Sequence, residues 1–378
     1  MSSQGNNDAE GRKMKRIAEA SAVMAEAVKL CEPQVIPLYP ITPQTHLIEE
    51  LTNHVNNGEL KAKIIRTESE HSMMSALIGS ILAGSRSFTA TSSQGLALAH
   101  EVLPIISGMR LPAVIGVAAR ALSAPLNIWG DHSDVMDARD TGWIQLHCRN
   151  TQTVFDTTIQ AFAIAEKARL PVMVIMDGYT LSHMFEPVEL LSKTEVSSYL
   201  PKFKIKYQLD SAKPMTFGPV GFPDSYMEIK HQQKNAYEEA ANIIAEENKR
   251  YGKMFKREYG DGLIEVFNPS AKQAIICQGT TAETAKLTGA CVIHVRCFRP
   301  FPFSQIEKAC KGKDVVVIDR AYSYGSGAPL HLEVKTVVPQ ARSAVMGLGG
   351  RDIRLEDLQM ILKSKEKEIW VDHYGKKE

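Results

Sequence analysis

Strand-length apolar runs alternate with helix-length stretches through the first half of the chain, and this alternation restricts the fold more than any other feature. The runs lie at 35–38, 63–66, 88–91, 112–118 and 170–176. Small and apolar residues recur at helical spacing over 15–30, 46–55, 73–83, 96–107 and 151–167. Alternation of this kind predicts a parallel α/β sheet covered by helices. Ligands of such sheets bind in the crevice beyond the carboxyl ends of the strands. The residues that directly follow each run are therefore the candidates for function.

The run at 35–38 ends in Tyr39-Pro40-Ile41-Thr42-Pro43. Proline fixes φ, removes a backbone donor and drives the preceding residue toward extended geometry. Two prolines flanking Ile41-Thr42 stiffen the turn and hold Thr42 in one orientation. The turn is either a rigid platform that offers a hydroxyl, with Tyr39 beside it, or a plain strand-to-helix connection. The run at 63–66 leads into Thr67-Glu68-Ser69-Glu70-His71-Ser72 and then a helix apolar on almost every side, which predicts burial. Two glutamates suit the positive end of that helix. Glu68 reads as a solvated charge. A glutamate buried there would need a partner and would have a raised pKa, the profile of a proton-handling group.

Ser92-Ser93-Gln94-Gly95 either caps the next helix or turns backbone N–H groups toward a ligand. Arg120 leaves a continuous apolar run at its carboxyl end, where it meets either a ligand carboxylate or an internal acid. The segment 124–134 is dense in polar residues without periodicity. Asp131, His132, Asp134 and Asp137 lack the alternating oxygens and distal Glu of a Ca²⁺ loop, so no metal is expected and the segment reads as a cover over a substrate.

Periodicity fades over 186–224, where Pro214, Pro219 and Pro223 lie close together, and an extended connection is expected. A polar amphipathic helix is predicted over 226–256, fit to bridge domains or face a partner. Strands at 273–277, 291–295 and 314–318 with helices between them predict a second, smaller doubly wound unit. Its glycines Gly279, Gly325, Gly327, Gly347, Gly349 and Gly350 do not form GxGxxG, which argues against a nicotinamide site. The expected organisation is a disordered tail at 1–14, a first domain at 15–200, a connector at 201–262 and a second domain at 263–378.

The 378 residues suffice for two domains with real cores. A net charge of +1 supplies no field to recruit nucleic acid or a membrane surface. No apolar run reaches the ~18 residues of a membrane span, and the polar start has no secretory apolar region. A cytoplasmic location is expected. Of the six cysteines, none forms a CxxC pair, so this chain is not expected to hold zinc or an iron–sulfur cluster by itself. Buried reduced thiols are expected instead.

Taken together, Tyr39-Pro40-Ile41-Thr42-Pro43, Glu68-Ser69-Glu70-His71, Thr91-Ser92-Ser93-Gln94-Gly95-Leu96, and Arg120-Ala121-Leu122-Ser123 with Asn127-Ile128-Trp129-Gly130-Asp131-His132-Ser133-Asp134 resemble one family. It is the alpha subunit of multi-subunit pyruvate:ferredoxin oxidoreductase, or pyruvate synthase, within the 2-oxoacid:ferredoxin oxidoreductases. Phe298-Arg299-Pro300-Phe301-Pro302 and Val317-Ile318-Asp319-Arg320 continue the likeness, which spans residues 15–375. Each motif alone is weak; their order and spacing carry the signal.

The resemblance implies an α/β chain made of a pyrimidine-binding domain of thiamine-diphosphate enzymes and a smaller transketolase-C-terminal-like domain. It implies thiamine diphosphate shared with a beta subunit. Mg²⁺ and iron–sulfur clusters would lie on partner subunits of beta, gamma and delta type, with ferredoxin, pyruvate and CoA as the remaining partners. Glu70 matches the glutamate that bonds the aminopyrimidine ring. A carboxylate there favours the imino tautomer, whose nitrogen takes the proton from the thiazolium carbon. Thr42 matches the hydroxyl that touches substrate, and Arg120 the arginine that pairs with the 2-oxo acid carboxylate. Tyr39, Pro40 and Ile41 would line the cofactor. Asn127 and Asp131, on the covering loop, are further substrate candidates.

The implied activity is oxidative decarboxylation of pyruvate to acetyl-CoA, or its reverse. Thr42 favours pyruvate, because an oxalate-using relative has a basic residue in that turn. Arg120-Ala-Leu-Ser likewise differs from the Gly-Pro-Ser-Thr-Gly loop of relatives that use branched-chain or 2-oxoglutarate substrates. The same chemistry on another 2-oxo acid, or a non-catalytic assembly subunit, are the competing readings.

Overall fold

The computed structural model describes residues 14–205 and 207–371, and the fold is given for these. The expected strands form, and they form where the apolar runs lie. In order, the first part of the chain runs β1 (Met14–Glu19), α1 (Ala20–Leu30), β2 (Val35–Leu38), α2 (Thr45–Asn56), β3 (Lys63–Arg66), α3 (Glu70–Leu82), β4 (Phe88–Thr91), α4 (Ser93–Leu98), α5 (Val102–Gly108), β5 (Val114–Ala119), α6 (Ser133–Asp137), β6 (Ile144–His147), α7 (Thr151–Ala168) and β7 (Val172–Asp177). Then come β8 (Phe185–Leu190), α8 (Lys193–Tyr199) and the long α9 (Tyr226–Phe255). The remainder is β9 (Ile264–Phe267), β10 (Gln273–Cys277), α10 (Thr281–Lys286), β11 (Cys291–Val295), β12 (Cys297–Arg299), α11 (Phe303–Cys310), β13 (Asp314–Asp319), α12 (Pro329–Lys335), β14 (Arg342–Val345), α13 (Leu355–Lys363) and β15 (Glu368–Trp370).

The first sheet has the order β12-β6-β7-β5-β4, parallel except for β12. The parallel pair β2-β3 lies beyond β4. Pro37 has no N–H to give, so the β2–β4 seam is not a full ladder. It closes through the Val35–Ser87 bridge and the Thr89 hydroxyl, which donates to the Pro37 carbonyl at 2.7 Å. The second sheet runs β15-β14-β13-β10-β11-β9, with only β9 antiparallel.

Strand alternation sorts the core. Val114 and Ala118 of β5 join Val172, Val174 and Met176 of β7 in a cluster with α1, α7 and α9. The intervening Ile115, Val117, Ala119, Met173 and Ile175 face the other way, into a cluster with α3, α5 and second-sheet residues Ala274, Ile276, Val315 and Val317. The two sheets therefore share one apolar layer. The amphipathic α9 packs Ala240, Ile244 and Tyr251 into the first of these clusters. Tyr251 and Arg257 both bond the fully buried Asp156 of α7.

Several expectations need correction. The helix expected from residue 15 begins only at Ala20; residues 14–19 form β1, antiparallel to β8. That pairing joins distant segments, and no local spacing records it. The extended connection expected over 186–224 likewise contains β8 and α8, the latter started by a Ser192–Glu195 capping box. The helix expected over 96–107 is two short helices. Pro104 cannot donate to the His100 carbonyl, so α4 stops and α5 restarts with the proline in its first turn. The strand β6 was not expected: its Gln145 and His147 are polar yet buried. The end of the first domain is not clean either. After β11, the chain returns to add β12 to the first sheet.

Where the two sheets meet, Arg149 bonds Glu265 of β9 through Nε at 3.1 Å and also bonds Glu283 of α10. His294 Nδ1 lies 3.1 Å from Glu265 Oε1. Burial alone would raise the Glu265 pKa, but His294 and Arg149 bring it down to about 2. The six cysteines are all buried and free, with burial pushing up the pKa of each one. Among the described residues, no helix is long and apolar enough to cross a membrane.

Glu265 carries a folded-state pKa below its ordinary 4.5, so its stabilising pairing is complete above that pH. It is lost as pH falls from about 4.5 toward about 2. Arg149→Ala removes the cation shared by buried Glu265 and half-buried Glu283, which keep His294 and Lys286, and should cost about 1–3 kcal/mol. Urea denaturation at neutral pH and at pH 3 checks both points: the variant's deficit should shrink at the lower pH.

Candidate functional site

Four strand ends, those of β2, β3, β4 and β5, come together at the β4 side of the first sheet. The β2 end supplies Tyr39, Pro40, Ile41 and Thr42. Tyr39 is half-buried and packs against the cluster that holds Met73 and Leu96. Ile41 is half-buried, while Pro40 and Thr42 are exposed. The turn is held from behind by Gln44, which is fully buried and donates Nε2 to the Ala90 carbonyl of β4 at 2.6 Å. The Gln44 N–H also closes the turn onto the Ile41 carbonyl at 2.9 Å.

The β3 end supplies Glu70. Thr67 donates its N–H and hydroxyl to the Leu38 carbonyl, which ties this end to the Tyr39 turn. Ser69 is the N-cap of α3 and accepts from Ser72 N at 3.3 Å. The cap separates the two glutamates. Glu68, before it, is exposed and bonds Ser72; Glu70, the first residue of the helix, is 4% exposed. Burial raises the Glu70 pKa, only partly opposed by a bond from its own backbone N–H.

The β4 end meets Glu70 directly. A Cβ placed on Gly95 would overlap both Glu70 Oε1 and Thr91 Oγ1, so only glycine lets these two oxygens meet there. Thr91 Oγ1 is buried and has no hydrogen-bond partner. A buried hydroxyl left open beside a protonatable carboxyl is a place for a ligand's polar ring atoms. These residues fit the aminopyrimidine of thiamine diphosphate: one acid to bond a ring nitrogen, one orphan hydroxyl and a glycine floor.

The β5 end supplies Arg120, 6% exposed. Its Nη1 donates to the Thr42 carbonyl and its Nε to the Asn127 carbonyl, both at 2.9 Å. Among the described residues, no carboxylate pairs with its guanidinium. The nearby acid, Asp134, bonds the Arg120 backbone N–H at 3.0 Å instead. The same Asp134 oxygen accepts from Ser93 N at 2.8 Å, so one buried carboxylate stitches the Glu70–Gly95 half of the site to the Arg120–Thr42 half. Burial pushes the Asp134 pKa up to about 7 against its three N–H donors. Burial also lowers the pKa of Arg120, which sharpens its demand for an anion.

The structure brings Thr42, Arg120 and Asn127 into direct contact, with Glu70 on the adjoining ends. Asp131 is differently placed. One of its oxygens accepts from Ser133 N and Oγ, and the other accepts from Gly349 N at 3.0 Å. It shapes the loop. His132 turns to Asp177, 2.7 Å away, and Asp137 lies against His100. Among the described residues, no group of three His, Cys, Asp or Glu is set to hold a metal ion. Gln44, Asp134 and Asp177 have roles that local sequence did not reveal; only Asp177, an acid closing the apolar run of β7, carried a signal.

The profile of the family described as pyruvate flavodoxin/ferredoxin oxidoreductase, thiamine-diphosphate-binding, matches residues 26–249, and the pyruvate:ferredoxin oxidoreductase core domain II matches 271–358. The chain belongs to the pyruvate:ferredoxin oxidoreductase family. It is 42% identical to pyruvate synthase subunit PorA of Methanocaldococcus jannaschii over 93% of this chain and 95% of that one. It is 41% identical to the Thermotoga maritima PorA over 92% and 94%, and 35% identical to ketoisovalerate oxidoreductase subunit VorA of Pyrococcus abyssi over 95% of each. Its fold matches 2-oxoglutarate:ferredoxin oxidoreductase from Magnetococcus marinus with a TM-score of 0.70 at 17% identity, covering 94% of this chain and 66% of that longer one.

Gly95→Ala tests the ring cradle. The added methyl must displace Glu70 or Thr91, so thiamine diphosphate affinity of the assembled complex should fall by at least about 100-fold, the scale of a misplaced site. Isothermal calorimetry reads it.

Proposed function

We propose that this chain is the alpha-type catalytic subunit of a thiamine-diphosphate-dependent 2-oxoacid:ferredoxin oxidoreductase acting on pyruvate. With CoA it yields acetyl-CoA and CO₂ and reduces ferredoxin, or it runs the reverse. The observation that carries this reading is Arg120: a buried guanidinium at a strand end, aimed by two carbonyls and without a carboxylate partner among the described residues. Thiamine diphosphate, when bound, supplies the nucleophilic carbon and the electron sink for decarboxylation. Glu70 holds a proton at the pyrimidine ring, helped by the burial that raises its pKa. Arg120 binds the substrate carboxylate beside Thr42, an exposed residue whose carbonyl accepts from the same guanidinium. Tyr39, Pro40 and Ile41 line the cofactor, and the 123–134 loop excludes water. The other half of the site, with Mg²⁺ and the iron–sulfur clusters, belongs to beta-, gamma- and delta-type partners, so the isolated chain is inert.

The names of the pyruvate synthase relatives support the substrate. The ketoisovalerate relative, nearly as similar, keeps another 2-oxo acid as the second reading. Assays of the anaerobically assembled complex with pyruvate, 2-ketoisovalerate and 2-oxoglutarate separate the two. Calorimetry with thiamine diphosphate excludes a non-catalytic assembly role if binding is seen.

Arg120→Ala should raise KM for pyruvate and lower kcat/KM by about 2–4 kcal/mol, the scale for a desolvated charge pair that loses one member. Steady-state kinetics of the complex check this, and wild-type values would remove Arg120 from the role.

A further inference from the structure

The loop that aims Arg120 is fixed at its base and almost free at its tip. At the base, Ala121 N donates to the Trp129 carbonyl and Leu122 N to Ser133 Oγ. Gly130 sits flush on Gly178, and Arg320 Nη2 donates to the Gly130 carbonyl at 2.6 Å. The tip is open: Leu126 is 77% exposed, and a cleft of about 580 Å³ runs between Asn127, Trp129 and Arg354. What reaches the tip across this cleft is one turn of the second sheet's far loop. Asn127 Nδ2 donates to the Gly349 carbonyl at 3.1 Å, and Asn127 Oδ1 in turn accepts from Trp129 N at 2.8 Å. Gly349 N donates to Asp131. Gly350 lies against Trp129 so closely that a Cβ there would overlap the Trp129 Cβ and come within 3.0 Å of its Cγ. Gly347, Gly349 and Gly350 all have positive φ (70°, 59° and 81°), so backbone conformation and close approach both demand glycine here.

We infer that the turn Gly347–Gly350 is a backbone latch: through Asn127 it sets where Arg120 presents its guanidinium, and so sets affinity for the 2-oxo acid carboxylate. The chain of contact is short. The turn holds the Asn127 side chain, and the Asn127 carbonyl holds Arg120 Nε. Gly349, Gly350 and Asn127 are positioning residues that touch neither cofactor nor the reacting carbon. The inference rests on Arg120 being the carboxylate-binding residue. The second sheet then acts on substrate binding from a distance, with no side chain of its own in the site.

The test is a double-mutant cycle in the assembled complex, using Gly350→Ala, Arg120→Ala and the pair. Gly350→Ala should raise KM for pyruvate roughly 10- to 100-fold, the scale of a small misplacement of a binding group. The kcat and the thiamine diphosphate affinity should stay near wild type. Added to Arg120→Ala, it should change KM less than twofold, because the group it positions is already gone. A wild-type KM in Gly350→Ala, or effects that multiply fully in the pair, overturns the latch. If Gly350→Ala fails to assemble, Gly349→Ala carries the same cycle and the same outcomes, since its Cβ would come within 2.6 Å of Asn127 Nδ2 and displace that amide. A wild-type KM in Arg120→Ala instead overturns the functional reading, and the latch with it; an impaired Arg120→Ala beside an unimpaired Gly350→Ala overturns the latch alone.

Discussion

Asp177, the last residue of β7, is the interaction on which the arrangement depends. It is 1% exposed, and both its oxygens are used. Oδ1 meets His132 Nε2 at 2.7 Å; Oδ2 accepts from Arg320 Nη1 at 2.6 Å, from Thr280 N at 2.9 Å and from the Thr280 hydroxyl. Burial alone would raise its pKa, yet Arg320 and His132 hold it far below the usual carboxylate range. One side of this network is the covering loop, through His132. The other two sides come from the second sheet. A buried charge with one partner removed is costly, so the three elements are held in one register or not at all. Gly279 lies so close to Asp177 that a Cβ would come within 2.6 Å of Oδ1, which shows how tightly the second sheet seats.

Around that anchor, the site divides labour between main chain and side chain. Carbonyls aim the arginine, and backbone N–H groups gather on Asp134. The groups offered at the strand ends differ in kind: one buried carboxyl, one buried hydroxyl without a partner, one guanidinium held by two carbonyls, and one exposed threonine. What marks these groups out is their gathering at neighbouring strand ends: Thr91 Oγ1 is buried without a partner, and it meets Glu70 Oε1 over Gly95. The helix start at Glu70 adds a positive field, while its surroundings favour the protonated acid. Those opposing tendencies suit a group that shares a proton with a ring nitrogen.

Much of this was legible in the order of residues. The strands at 35–38, 63–66 and 88–91 are short apolar runs with sharp ends, and α7 and α9 carry long, regular spacing. Arg120 stood out because a charge directly after an apolar run has few neighbours that water can replace. Glu68 and Glu70 could be told apart only partly, since the decision lies with Ser69 as the cap and with Gly95, which comes from another strand. The β1–β8 ribbon was illegible because each strand is specified by the other. The buried polar strand β6 was hidden for the opposite reason: Gln145 and His147 are inside because neighbours enclose them, not because of what they are. The carbonyls that hold Arg120 carry no side-chain signature at all.

The return of β12 to the first sheet has a mechanical result. Val295 ends a strand of one sheet and Cys297 begins a strand of the other, with only Arg296 between them. That residue is 1% exposed and is itself pinned, with Nη1 on the Gly262 carbonyl at 2.7 Å and Nη2 on Gln160 at 2.9 Å. A swivel of one sheet against the other would have to turn about a joint with no slack. The two sheets are therefore braced as one wall, and the looser part beside the site is the short segment around Leu126, which is 77% exposed.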